Sequence, residues 1–330
     1  MRYCCSHAIL TPNPKTRKTP HGEPTVKHFL SLADYSGQAL SDMLDLALRL
    51  KDERRKGPNK PLLKGKVLAM VFQKPSLRTR VSFDMAMRHL GGDALYLSPA
   101  EIGLGKREAI SDVSRVLSGY VDAVMARVFD HIHVVELAEY SRVPVINGLS
   151  DFNHPCQAMA DVLTIQEHFG RLDGINLTYV GDGNNVATSL LFACARLGMN
   201  FTLAAPEGYE LDPEVIDQGQ DLAKGNGGTI RQLRDPLKAV QDANVIYTDT
   251  WVSMGQEEEA RKREKVFPPY QVNAELLAQA DPSTIVLHCL PAHRGQEITN
   301  EVADGPQSLI FDQAENRMHA QKAILVSLLT

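Results

Sequence analysis

Nowhere in this 330-residue chain does an apolar run approach the roughly 20 residues needed to cross a bilayer, which excludes a membrane-spanning helix. Cysteine is sparse and badly placed for a disulfide framework. Cys4, Cys5, Cys156, Cys194 and Cys289 form an odd, scattered set, which points to a reducing compartment. A strong charge of either sign is also missing. The formal net charge of −5 argues against nucleic acid or an anionic membrane surface as the main partner. Short internal repeats and low-complexity segments are absent. The first 24 residues carry Arg2, Lys15, Arg17 and Lys18, four prolines and no acid before Glu23, yet no amphipathic or Ser-rich pattern. A flexible extension over residues 1–24 of a cytoplasmic protein is therefore expected, with organelle import through that segment left open.

What is present describes an ordinary globular protein, 43% hydrophobic and 23% charged, and too long for a single core. Leu40, Met43, Leu44, Ala47 and Leu50 recur at helical spacing before Gly57-Pro58-Asn59. Short apolar runs then alternate with helical patterns. Strands are expected at Val67 to Phe72, Ala94 to Leu97, Ala123 to Ala126 and Val143 to Ile146. Helices fall between them at Val81 to Leu90, Ile110 to Tyr120 and Val134 to Tyr140. The rhythm restarts with strands at Ile175 to Val180, Phe201 to Ala204, Val245 to Tyr247 and Ile285 to Leu287. The predicted fold is α/β: two doubly wound parallel-sheet halves, joined by a helix from about Pro155 to Phe169 and closed by one from about Glu315 to Leu329. Open sheets of this kind bind ligands at the carboxyl ends of their strands.

The unusual residues stand at those places. Lys74-Pro75-Ser76-Leu77-Arg78-Thr79-Arg80 lies between a strand and a helix, where backbone N–H groups, hydroxyls and guanidinium groups make an anion cradle. Cations at a positive helix end are unfavourable without an anion, so a basic surface turn is the weaker reading. The glycines of a P-loop are lacking, so nucleotide hydrolysis is not implied. Arg127 follows a strand, and His154-Pro155-Cys156-Gln157 opens the joining helix; each alone could be a surface or structural feature. Gly181-Asp182-Gly183-Asn184-Asn185 partly mimics a dinucleotide fingerprint, but the third small residue is misplaced and no acid ends the next strand. Its paired amides suit a carboxylate better. Asp249-Thr250-Trp251-Val252-Ser253-Met254-Gly255 offers an acid for an ammonium beside the only tryptophan. His288-Cys289-Leu290-Pro291-Ala292-His293 invites zinc, yet no second cysteine cluster supplies ligands, so no metal is expected. Arg317 opens the expected closing helix. Only the first segment is strong alone. Together they suit acyl-type transfer from a phosphate-activated donor to an amino acid.

From about Lys27 to the C-terminus the sequence resembles the aspartate/ornithine carbamoyltransferases. Ser76-Leu77-Arg78-Thr79-Arg80 and His154-Pro155-Cys156-Gln157 match motifs of the whole family. Asp249 to Gly255 and His288-Cys289-Leu290-Pro291 are similar to the ornithine branch; the aspartate branch has Pro-Leu-Pro-Arg where this chain reads Cys289 to Ala292. The resemblance implies carbamoyl transfer to the δ-amine of L-ornithine without cofactor or metal, by a homotrimer with sites between subunits. It implies a carbamoyl phosphate domain of residues 25–152, to which the closing helix 315–330 returns, and an ornithine domain of residues 153–314. Carbamoyl phosphate would contact Ser76, Leu77, Arg78, Thr79, Arg127, His154, Pro155, Cys156, Gln157, Cys289, Leu290 and Arg317. Ornithine would contact Asn185, Asp249, Ser253 and Met254, and Arg78, Arg127, His154 and Cys289 would be catalytic. The sequence departs from the pattern at Leu77, where threonine is commoner, and at Gly103, where many relatives carry a glutamine reaching a neighbouring subunit; Lys106 or Arg107 could substitute. Carbamoyl transfer to an N-acylated ornithine or putrescine, an NAD-dependent dehydrogenase and a non-catalytic binding protein stay open as rivals.

Overall fold

The computed structural model describes residues 28–105, 107–252 and 259–330, with two backbone strands, Arg17–Lys18 and Pro24–Thr25, paired antiparallel. Apart from those strands, the extension expected over residues 1–24 lies outside the described residues, as do Lys106, Ser253 and Met254.

Two sheets organise the rest. The first holds β1 (Val67–Phe72), β2 (Asp93–Leu97), β3 (Ala123–Arg127) and β4 (Val145–Leu149) in the order β2-β1-β3-β4. The second holds β5 (Asn176–Val180), β6 (Asn200–Ala204), β7 (Ile230–Leu233), β8 (Val245–Thr248) and β9 (Ile285–His288) in the order β9-β8-β5-β6-β7. Every neighbouring pair in both sheets is parallel. Parallel strands are covered on both faces, and their side chains show it. Leu68, Met70 and Phe72 of β1 enter one core while Ala69 and Val71 enter another. In β9, Ile285 and Leu287 face one core and Val286 the other. Near-continuous apolar runs in sequence are thus two alternating faces in space.

The longer helices are α1 (Gly37–Lys56), α2 (Leu77–His89), α3 (Ile110–Leu117), α4 (His131–Tyr140), α5 (Pro155–Phe169), α6 (Asn185–Leu197), α7 (Pro213–Ala223), α8 (Ala260–Val266) and α9 (Ile310–Leu329). Their ends follow local chemistry. Ser36 caps α1 by accepting from Ala39 N–H. Pro155 stands in the first turn of α5, and Gly170 ends it at φ 69, a left-handed conformation that glycine adopts without steric cost. Three expectations shift. The closing helix starts at Ile310 rather than Glu315, so Arg317 lies two turns inside it. The helix after β1 starts at Leu77 rather than Val81, since Ser76 caps it by accepting from Thr79 N–H. The edge strand β7, with Arg231, Gln232 and Leu233 exposed, has no apolar signature and was not foreseen.

The central core spans both sheets through α1, α2, α5, α6 and α9. Polar ties fix the helices there. Lys51 of α1 is buried and donates to Glu167 Oε2 of α5 and Asn316 Oδ1 of α9, each at 2.7 Å. Lys322 of α9 donates to Asn59 Oδ1 at 2.7 Å. The closing helix therefore returns to the first half and packs on α1, α2 and α5. Replacing Lys51 by Met leaves Glu167 and Asn316 short of a donor and should destabilise the fold by roughly 1–3 kcal/mol. A urea denaturation midpoint equal to wild type would show that this tie contributes nothing.

Candidate active site

Strand ends and helix starts converge on one cavity of about 370 Å³ between the carboxyl edges of the two sheets. On its first-sheet side, the turn after β1 leads into α2. Ser76 Oγ donates to Thr79 Oγ1 at 3.1 Å, and Arg317, arriving on α9, donates to the same oxygen at 3.2 Å. Arg78 and Arg127 complete a group of three guanidinium groups on the wall. Arg127 and Arg317 are 6% and 3% exposed, and the Nε of each is buried without a partner. Burial, then the charges of Arg317 and Arg78, pushes Arg127 down to about 9. Arg317 is lowered as well, chiefly by burial. His154 sits among them, held well below the usual histidine range by burial and then by Arg317, Arg127 and Arg78. Its imidazole is neutral at pH 7, its backbone N–H donates to Ser189 Oγ at 2.7 Å, and its Nδ1 has no partner. A pocket with cations that repel one another and a neutral N–H donor is built for an anion bearing a carbonyl.

The second-sheet side is acidic and amidic. Asn184 caps α6 through its carbonyl oxygen and donates its amide to Asp249 Oδ2 at 2.9 Å. Asp249 Oδ1 accepts from the Cys289 thiol at 3.0 Å and from Thr250 N–H at 2.8 Å. Burial, then the Asp249 carboxylate, holds the Cys289 thiol well above its ordinary range, so it stays protonated. Three donors leave Asp249 about one lone-pair direction for an ammonium. Asn185 donates to Ser150 O at 2.6 Å, bridging the two halves, and keeps a second N–H for the cavity. Leu290 adopts φ 57, costly for a branched side chain, and its N–H donates to His288 Nδ1 at 2.9 Å.

Among the described residues, Asp249, His288 and Cys289 place possible metal-ligating atoms within 4.8 Å of one another. The donor set fits a metal poorly. His288 Nδ1 accepts from Leu290, its Nε2 faces Glu297 at 3.1 Å, and the Cys289 thiol is protonated.

Comparison with known families follows the same division. A model of the carbamoyl-P binding domain of aspartate/ornithine carbamoyltransferase matches residues 27–167, and one of its Asp/Orn binding domain matches residues 173–328. The chain belongs to the aspartate/ornithine carbamoyltransferase family. It is 54% identical to an ornithine carbamoyltransferase of Pyrococcus abyssi over 303 residues, 92% of this chain and 96% of that one. The solved ornithine carbamoyltransferase from Pyrococcus furiosus superposes with a TM-score of 0.89 at 54% identity, covering 92% of this chain and 96% of its own. An anabolic ornithine carbamoyltransferase from Campylobacter jejuni reaches a TM-score of 0.87 at 38% identity, over 92% of this chain and 99% of its own.

In this carbamoyltransferase-family chain, Ser76, Leu77, Arg78, Arg127, His154, Gln157, Asn185, Asp249, Cys289, Leu290 and Arg317 all line the cavity. Thr79, Pro155 and Cys156 do not: Thr79 is fully buried behind Ser76, and the Cys156 thiol points to Asn147 O at 3.4 Å. Arg80 turns away and stacks 4.0 Å over the Tyr96 ring. Gly103 is left-handed, at φ 51, and its loop is tied by Arg107 N–H to Gly103 O at 2.8 Å. The dinucleotide-like glycines serve the chain itself. A Cβ on Gly183 would lie 2.6 Å from Leu211 N, and Asp182 pairs with Arg263 at 2.6 Å. Lys74, named in sequence only as the first residue of the anion-cradle segment, lines the cavity over the Phe129 ring at 4.3 Å. Arg263, which also holds Trp251 O at 2.7 Å, was hidden in a run of surface charges.

Cationic crowding has a measurable consequence. Inorganic phosphate should raise the melting temperature, because it binds only where the folded chain gathers the guanidinium groups. Arg317→Met should abolish most of that rise without lowering the phosphate-free melting temperature. An equal phosphate response in both proteins would refute the assignment of the anion to this wall.

Proposed function

We infer that the protein transfers the carbamoyl group of carbamoyl phosphate to the δ-amine of L-ornithine, releasing L-citrulline and phosphate. The single observation that carries this is the meeting, in one cavity, of a wall of three guanidinium groups, two of them buried, with a carboxylate that has one free direction. The first grips a doubly charged activated donor, the second an α-ammonium.

Residues 25–152 with the C-terminal stretch 315–330, most of α9, are assigned to carbamoyl phosphate, and residues 153–314 to ornithine. Ser76, Leu77 N–H, Arg78, Arg127 and Arg317 take the phosphate and carbonyl oxygens, with Thr79 holding Ser76 and Arg317 from behind. His154, Gln157 and the backbone of Cys289 and Leu290 take the carbamoyl end. Asn185 receives the ornithine carboxylate, and Asp249 its α-ammonium, with Ser253 and Met254 assigned from the motif alone. The neutral δ-amine attacks the carbamoyl carbon, the C–O bond to phosphate breaks, and the departing phosphate takes up the proton that the amine nitrogen sheds. Arg78, Arg127 and the neutral His154 stabilise the growing negative charge on the carbonyl and phosphate oxygens. Cys289 cannot serve as a base, since its thiol keeps its proton; it fixes Asp249 and faces the amine. No cofactor takes part in this scheme.

Assembly as a homotrimer accounts for apolar exposure beside the cavity. Leu77 is 76% exposed, with Val81 and Leu95 about half exposed near it, an apolar face that a second copy would cover. Light scattering should then give three times the 36.4 kDa chain mass; a monomer would remove this part of the reading. A cytoplasmic location fits the free Cys156, Cys194 and Cys289. None of the described helices is long and apolar enough to cross a membrane.

Two measurements test the chemistry. Colorimetric ureido-product formation across an amine panel should favour ornithine over putrescine and N-acetylornithine, because only ornithine presents both α-groups. Equal rates would shift the reading to another amine. An alkyl ammonium titrates near pH ~10, so kcat/KM should rise through the neutral range. Arg78→Ala should cost roughly 1.5–3 kcal/mol of transition-state stabilisation in the same assay, and unchanged turnover would exclude its role.

A further inference from the structure

Beneath the cavity floor a polar chain runs on from Gln157 to buried residues that none of these roles uses. Gln157 Nε2 donates to Asp161 Oδ1 at 2.7 Å, one turn further along α5. Gln313, on α9, donates its Nε2 to the same oxygen at 2.6 Å and to the Tyr247 hydroxyl at 3.2 Å. Its other end accepts the His288 backbone N–H at 2.9 Å, next to Cys289. Gln157, Asp161 and Gln313 are all buried.

Donor and acceptor types fix the direction of this chain. A carboxylate only accepts, so Gln157 must turn its NH2 group toward Asp161. Its Oε1 is then left buried with no partner, on a residue that lines the cavity. Burial raises Asp161 to about 7, so a proton is partly present near neutral pH. Both amides donate to Oδ1, the Tyr247 hydroxyl also favours the charged carboxylate, and Oδ2, which meets neither amide, is the oxygen free to carry that proton. Oδ1 therefore accepts in either state, and the orientation of Gln157 does not depend on ionisation.

We propose that Asp161 is a positioning residue that fixes which end of the Gln157 amide faces the cavity, and so makes the site prefer an acyl phosphate bearing –NH2 over one bearing a methyl group. The proposal rests on the carbamoyl-transfer reading above and adds the origin of its donor selectivity. Carbamoyl phosphate supplies an N–H to Gln157 Oε1. Acetyl phosphate has the same phosphate and carbonyl but a methyl group in that place, and leaves the oxygen buried and unpaired. Without the Asp161 acceptor the Gln157 amide is free to turn over, and the preference fades.

The test uses the full chain with acetyl phosphate as a competitive inhibitor against carbamoyl phosphate. The quantity read is the ratio of the acetyl phosphate Ki to the carbamoyl phosphate KM. Asp161→Leu, similar in shape but without an acceptor, should lower that ratio by about tenfold. Asp161→Asn keeps a carbonyl oxygen for Gln157 and Gln313 and should hold the wild-type ratio. A purely structural role would change stability or kcat in both variants and leave the ratio alone. If Asp161→Leu does not fold, Asp161→Ala is read in the same way. A ratio indifferent to loss of the acceptor, or lost equally in the Asn variant, overturns the proposal while leaving carbamoyl transfer intact. A wild-type protein that forms no citrulline overturns both.

Discussion

Crowded positive charge at the carboxyl edge of the first sheet is the constraint on which the site depends. Arg78, Arg127 and Arg317 come from three separate elements, and the charged form of each buried member is disfavoured where it stands. Such a cluster persists only because packing elsewhere stabilises the fold that holds it. Burial first, and then repulsion from the same three guanidinium groups, keep His154 neutral. The wall demands an anion, and the imidazole beside it remains a hydrogen-bonding group without charge.

The opposite wall depends on saturation rather than repulsion. Asp249 is surrounded by the Asn184 amide, the Cys289 thiol and the Thr250 N–H, so its position and remaining lone pair are both defined. The cap that starts α6 and the clamp on Asp249 are the same side chain, Asn184, whose oxygen serves the helix and whose nitrogen serves the acid. Local folding and site geometry are inseparable at that residue.

Two helices set the distance between these walls. α5 begins with His154 and Gln157 at the edge of the first sheet and leads into the second. α9 comes from the second half and brings Gln313 and Arg317 back against α5 and α2. Lys51 ties both to α1. A shift of either helix would move carbonyl-facing and phosphate-facing groups together, so buried polar pairs within an otherwise apolar core act as spacers for the chemistry.

Sequence alone determined the alternation of strand and helix, the two parallel halves, the joining helix and the segments that bear chemistry. Short apolar runs, capping residues and glycine stops act locally, and strand ends in such sheets are where ligands bind. It did not reveal edge strand β7, whose exposed side chains carry no apolar signature. Only the family resemblance, not the local pattern, singled out Arg78, which lines the cavity, from Arg80, which stacks on Tyr96. That Gly183 yields space to backbone at Leu211, that Asp182 answers Arg263, and that Asp161 orients Gln157 together with Gln313 were decided only by tertiary structure. These partners stand far apart in the chain or depend on side-chain direction. Periodicity reports which face a residue occupies, but not which distant group will meet it there.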